Sequence, residues 1–193
     1  MKLLFASGNP HKHEEIRQML PAGFELHAPH EFGIDEDIPE TGDTLEDNAL
    51  QKAAYVRKRT NLPVFADDTG LEVEALMGAP GVRSARYAGP QKDADANMNK
   101  LLADLSDRRN RHAHVRTVIA FIDQDGEAHL FEGKVEGHII REKRGEGGFG
   151  YDPIFVPLES DLSFAQMTSE QKNGISHRAR ALEQFMKHLR ERS

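Results

Sequence analysis

Three short apolar runs in the first third of the chain, Leu3–Ala6, Phe24–Ala28 and Pro63–Ala66, are separated by two stretches of helical periodicity. Strand-length runs alternating with amphipathic helices dictate a layered α/β arrangement, because each helix must bury its apolar stripe against a sheet. The first junction is sharp. Ser7-Gly8 leads into Asn9-Pro10, an N-cap followed by proline at the first helical position, which predicts a helix to about Leu20. A second helix is predicted from Thr44 to about Arg59, with Thr44 and Asp47 spaced like a capping box, and a third from about Asp93 to Leu105. Residues 29–43 read as a long acidic loop and 77–90, rich in Gly and Pro, as mostly loop.

The second half changes character. Val115–Asp123 and Ala128–Val135 flank Gln124-Asp125-Gly126-Glu127, a hairpin signal, and Gly137–Arg141 adds a further strand. A glycine-rich loop, 145–153, precedes the strand-like Ile154–Val156. A closing helix from about Ser176 to Arg190 lines up Ala179, Leu182, Phe185, Met186 and Leu189. The expected fold is therefore α/β with a mixed sheet. No repeat or linker divides the 193 residues, so one domain spanning 1–193, with two lobes around a shared cleft, is expected.

Composition narrows the chemistry. The absence of cysteine excludes disulfides, a thiolate nucleophile and a zinc site built on sulfur, and the histidines show no zincin spacing. The net charge of −7 argues against a nucleic-acid-coating protein. Eight acidic residues fall within 31–50, which hold no Lys or Arg, so the rest of the chain is near neutral. An acidic patch on a neutral body points to a cation site. The opening apolar run is too short for a signal segment, and no stretch approaches the ~18–20 residues of a membrane span. A cytoplasmic location without membrane contact is expected.

Several segments carry residue types that a fold alone does not ask for. The first helix opens on His11, Lys12 and His13, at the end where the helix dipole disfavours cations by about 0.3–1 kcal/mol. After a Ser-Gly-Asn turn, that layout suits phosphate, and a solvated basic turn is the competing reading. On the second helix Lys52 falls just outside the apolar sector formed by Leu45, Ala49, Ala53 and Val56, at the edge of a cleft or as a snorkelling lysine. Asp67-Asp68 precede Thr69-Gly70 at the expected end of the third strand, where α/β sheets bind ligands. Paired carboxylates there call for a cation or a shared proton, and with Glu40 or its neighbours supplying more oxygen they suit Mg²⁺; a plain turn is the alternative. The glycine-rich loop holds Phe149, Tyr151 and Asp152 and leads into a strand rather than a helix, which disfavours dinucleotide binding and suits a stacked ring, with a mobile surface loop whose Phe149 joins the core as the alternative. His177 and Arg178 open the last helix, again at its cation-disfavouring end, with Lys172 nearby.

These segments in order resemble the inosine/xanthosine triphosphate pyrophosphatases that remove non-standard purine nucleotides. The resemblance rests on Ser7-Gly8-Asn9 with Lys12 and Glu15, and on Glu40-Thr41-Gly42 with Glu46, Asn48, Ala49 and Lys52. It continues through Ala66-Asp67-Asp68-Thr69-Gly70-Leu71, Gly78-Ala79-Pro80-Gly81-Val82, Ser84-Ala85-Arg86-Tyr87, 147–155, Lys172 and Ser176-His177-Arg178. It implies an elongated two-lobed fold with a central twisted mixed sheet flanked by helices, an active site in the cleft between lobes, and usually a homodimer. It also implies Mg²⁺-dependent hydrolysis of ITP, dITP or XTP to the monophosphate and pyrophosphate. Carried over by position, Ser7, Gly8, Asn9, Pro10, His11 and Lys12 line the triphosphate site, with Lys52 and Lys172 as further phosphate-side cations. Glu40 and Asp68 serve the metal, and Asp68 is the assigned proton acceptor, with Asp67 beside it. Thr69 contacts substrate, and Phe149, Gly150, Tyr151, Asp152, His177 and Arg178 handle the base. Two alternatives share parts of this pattern: a related pyrophosphatase for pyrimidine or modified nucleotides, which substrate profiling separates, and a non-catalytic nucleotide sensor, which would not need a base.

Overall fold

A computed structural model describes residues 2–192. Its strands are β1 (Lys2–Phe5), β2 (Glu25–His27), β3 (Val64–Val73), β4 (Pro80–Gly81), β5 (His112–Ile122), β6 (Ala128–Ile139) and β7 (Phe155–Pro157). Its helices are α1 (Pro10–Met19), α2 (Leu45–Thr60), α3 (Ala94–Asp104), α4 (Ser169–Ile175) and α5 (His177–Glu191). The strands form one sheet in the order β2-β1-β3-β5-β6-β7, with β4 paired to β3. β1 runs parallel to both β2 and β3, whereas β3–β4 and β6–β7 are antiparallel. This is the mixed α/β sheet expected.

Two compact units emerge. The first comprises residues 2–68, Thr117–Gly133 and 179–192; the second comprises Thr69–Arg116 and Lys134–Arg178. In the first unit the period-two alternation of β1 and β3 separates two cores. Leu3, Phe5 and Phe65 pack with Ile16 of α1 and with Leu182, Phe185 and Met186 of α5. Leu4, Ala6, Val64 and Ala66 pack instead with Ala53 and Val56 of α2 and with Ile34. The Phe5 and Phe65 rings stack 4.7 Å apart, in keeping with their paired register. In the second unit Leu71, Val73, Ala113, Val115, Val135 and Ile139 cover Met98 and Leu101 of α3 and Phe155 and Phe164. Each fully buried large side chain contributes about 1.5–3 kcal/mol.

Helix starts follow their caps. Asn9 Oδ1 accepts from the His11 and Lys12 amides, Thr44 Oγ1 from Asp47, and Asp93 Oδ1 from Ala96. The structure departs from expectation at β3. Asp67-Asp68-Thr69-Gly70 does not end a strand or turn the chain; β3 continues through it unbroken to Val73. Sheet neighbours supply the backbone partners that a turn would otherwise supply, and this overrides local turn propensity. For the same reason Gly137–Arg141 is no independent strand, since β6 runs unbroken to Ile139.

Candidate active site

The continuity of β3 decides the fate of the two acids. Successive strand residues project to opposite faces, so Asp67 joins Phe65 on the α1 side and Asp68 joins Val64 and Ala66 on the α2 side. On the first side, Lys12 Nζ donates to Asp67 Oδ1 at 2.8 Å, and the Asp67 side chain is fully buried. On the second, Asn48 Nδ2 donates to Asp68 Oδ2 at 3.1 Å, while Lys52 Nζ lies 3.5 Å from Asp68 Oδ1 and 2.8 Å from Glu40 Oε1. Adjacent in sequence, the carboxylates do not share a proton; each has its own cation.

Their electrostatics differ accordingly. Burial pushes the Asp68 carboxyl above the ordinary aspartate range, against the pull of Lys52 and Lys12. Burial also works against the Lys52 ammonium, yet Asp68, Glu40 and Asp67 outweigh it and hold its pKa above the ordinary lysine value. The segment carrying Glu40 is fastened to α2 by side chains. Asn48 Oδ1 accepts from the Gly42 amide at 2.7 Å, and the Gln51 amide group meets Thr41 twice, at 2.8 Å from both N and Oγ1. A Cβ at Gly42 would lie 2.6 Å from that of Asp47, so only glycine allows this approach.

The turn before α1 is less open than its sequence suggests. With the His11 and Lys12 amides capped by Asn9, and Pro10 lacking one, few helix-end N–H groups remain for an anion. His13, expected beside His11 and Lys12 on a basic turn, is instead buried against Phe5, with Nε2 at 2.8 Å from the Ser7 carbonyl oxygen.

The second unit gathers the aromatic site residues. The Asp152 carboxylate organises the glycine-rich loop, accepting from the Phe149 amide at 2.9 Å and from Lys172 Nζ at 2.7 Å. Gly148, at φ 68°, leaves room for it; a Cβ there would fall 2.0 Å from Asp152 Oδ2. Lys172, on α4, lies 4.9 Å from the Phe149 ring centre, and the Arg178 guanidinium lies 5.7 Å from it. Arg178 is almost wholly buried and donates through Nη2 to Thr69 Oγ1 at 3.1 Å. His177 is buried with its ring 6.2 Å from that of Phe164. Tyr151 turns its hydroxyl to the Ser84 carbonyl at 2.7 Å, which makes it a brace between loop and scaffold. Gly150 adopts φ 62°, the left-handed region.

The structure thus groups Lys12 with Asp67, groups Glu40 and Lys52 with Asp68, and groups Thr69, Phe149, Asp152, Lys172 and Arg178 in the second unit. Gln51 had no place in the sequence reading, Asn48 entered it only through the family resemblance, and His13 only as part of a basic turn. Asn48 and Lys52 are one turn apart, and a buried helical asparagine must satisfy four hydrogen-bond positions, which was the available signal.

Comparison with known proteins shows what the chain is similar to. Residues 3–188 match the Ham1 family. The chain is 60% identical over 185 residues to the dITP/XTP pyrophosphatase of Porphyromonas gingivalis, covering 95% of each chain. It is 50% identical over 189 residues to that of Christiangramia forsetii, covering 98% of this chain and 99% of the other. Among solved structures, the Staphylococcus aureus Ham1 protein superposes with a TM-score of 0.90 at 40% identity over the whole of both chains. A nucleoside-triphosphatase / dITP/XTP pyrophosphatase from Mycobacterium abscessus superposes with a TM-score of 0.78 at 44% identity, over 96% of this chain and 98% of that one.

Proposed function

The chain belongs to the Ham1 family, and from that premise we propose that it hydrolyses ITP, dITP and XTP to the nucleoside monophosphate and pyrophosphate. The observation that carries the residue assignment is the separation of Asp67 from Asp68. Asp67 is locked to Lys12, whereas Asp68 keeps a solvent-reaching edge and a raised proton affinity. Asp68 is therefore the general base.

The reaction needs a water oxygen to bond to the α-phosphorus as the bond from that phosphorus to the α–β bridging oxygen breaks. Asp68 takes the proton of the attacking water. Lys12 and Lys52 offset the charge that collects on the departing pyrophosphate, and Asp67 holds the Lys12 ammonium in place. Ser7, Gly8, Asn9, Pro10 and His11 form the turn beside the phosphates. Glu40 and Asp68 would hold Mg²⁺. The donor set fits: both offer hard carboxylate oxygens that converge within 3.5 Å of Lys52 Nζ, and two carboxylates against one ammonium leave a net negative charge for a divalent ion. When bound, the ion supplies charge neutralisation on the phosphate oxygens.

Phe149 stacks on the purine, and Lys172, expected among the phosphate-side cations, is reassigned to the base end of the substrate because Asp152 holds it beside Phe149. Arg178, with His177 and Thr69, reads the C6 keto oxygen of hypoxanthine or xanthine. Arginine only donates, so the adenine amino group would face a donor without a partner. The same reading takes the enzyme as a cytoplasmic homodimer that engages neither nucleic acid nor membrane; no helix among the described residues is long and apolar enough to cross one. Steady-state assays test it. ITP and XTP should turn over well above ATP, with activity lost in EDTA and restored by Mg²⁺; equal use of ATP, or activity surviving EDTA, would contradict it.

A further inference from the structure

We propose that His13 is a positioning residue for the triphosphate turn, holding the Ser7–Gly8 peptide so that the Gly8 N–H faces a phosphate oxygen. The inference rests on the phosphate role given above to residues 7–12.

A carbonyl oxygen can only accept, so the 2.8 Å contact fixes His13 Nε2 as the protonated ring nitrogen. Burial also holds the imidazole pKa below its ordinary value, which keeps the ring neutral and this tautomer in place. The ring is packed 4.8 Å from that of Phe5 and has little freedom to move. In a planar trans peptide the C=O and the following N–H point in opposite directions. Drawing the Ser7 carbonyl inward to His13 therefore turns the Gly8 N–H outward.

That outward amide is the one the turn leaves over. The Asn9 amide donates to Ser7 Oγ, the His11 and Lys12 amides donate to Asn9 Oδ1, and the His13 amide donates to the Asn9 carbonyl. Gly8 is exposed, and its N–H has no partner among the described residues. Beyond its two chain neighbours, no atom of the described residues lies within 4 Å of where a Gly8 Cβ would stand, so packing does not explain the glycine. What its bareness provides is an uncovered amide, three residues past the end of β1 and four before Lys12. A basic helix start whose amides are already capped can grip an anion through these two groups, and among the described residues it is His13 that holds the Ser7 carbonyl and so orients the first.

The test compares His13→Met, which fills the space without a donor, with His13→Gln, whose amide N–H can reach the Ser7 carbonyl. In His13→Met the KM for ITP should rise about 10-fold with kcat within about 3-fold, the pattern of lost uniform binding. The inhibition constant of inorganic tripolyphosphate, which reads the anion site without the base, should rise by a similar factor, and His13→Gln should recover both. Unchanged constants in folded His13→Met, or equal losses in both variants, would overturn the proposal and leave His13 as packing. Independently of variant folding, tripolyphosphate added to ¹⁵N-labelled wild-type enzyme should shift the Gly8 amide resonance and slow its exchange. A Gly8 amide that does not respond overturns the proposal as well. Failure of wild-type enzyme to turn over ITP would instead overturn the reaction assigned above, without altering the tripolyphosphate result.

Discussion

Asp67 and Asp68 are consecutive residues on opposite faces of β3, the first paired with Lys12 at 2.8 Å and the second hydrogen-bonded to Asn48 at 3.1 Å. Their substitutions should therefore fail in different ways. Asp68→Asn removes the base and should lower kcat by at least ~10²-fold with little change in melting temperature, comparable to losing one strong transition-state contact. Asp67→Asn leaves the Lys12 ammonium without its buried partner. Breaking such a pair costs about 3–5 kcal/mol, so the loss should appear as a lower melting temperature and a higher KM. Equal kcat losses in the two variants would mean that the carboxylates act as one coupled pair.

Base selection is the second point of test. Arg178 is buried and bonded to Thr69 Oγ1 beside Phe149, so its remaining donors are fixed in direction. Sites built on such donors can discriminate by orders of magnitude. Arg178→Ala should narrow the ITP-to-ATP ratio of kcat/KM, chiefly by lowering the ITP value. An unchanged ratio would return Arg178 to a purely structural role.

These two assignments show how unevenly the site was legible. Asn9-Pro10 marked α1 and the Gly-Gly-Phe-Gly-Tyr-Asp run marked the loop around Asp152, because caps and glycines act within a few residues of chain. The opposed faces of Asp67 and Asp68 were not legible. Thr69-Gly70 is turn chemistry locally, and only pairing with strands remote in sequence keeps β3 extended through it. The burial of His13 escaped for a similar reason, since Phe5 and the Ser7 carbonyl capture it from a position that reads as the start of a solvent-facing basic turn. Helix α4 could have been found: Thr168 and Gln171 exchange side-chain and backbone bonds as a capping box, a spacing present in the sequence.

His13 also makes a pH prediction. Burial, with smaller contributions from Arg17 and His30, lowers its folded pKa below 6.5, against the opposing influence of the Ser7 carbonyl and Asp67. The folded state thus favours the neutral ring, and the unfolded chain takes up the proton first as pH falls. This stability contribution is intact above 6.5 and is lost as pH falls from there through the folded value. Between about pH 7.5 and about pH 5.5 the melting temperature of wild type should fall more than that of His13→Gln. Parallel falls would show that His13 does not titrate with unfolding.

The central claim is attack by water on the α-phosphorus. It is tested most directly by incubating ITP with the enzyme and Mg²⁺ in ¹⁸O-labelled water, then separating the products and weighing each by mass spectrometry. IMP should carry the label and pyrophosphate should not. Labelled pyrophosphate would place the attack on the β-phosphorus, and IDP with orthophosphate would mean cleavage at the γ-phosphate; either result would contradict it.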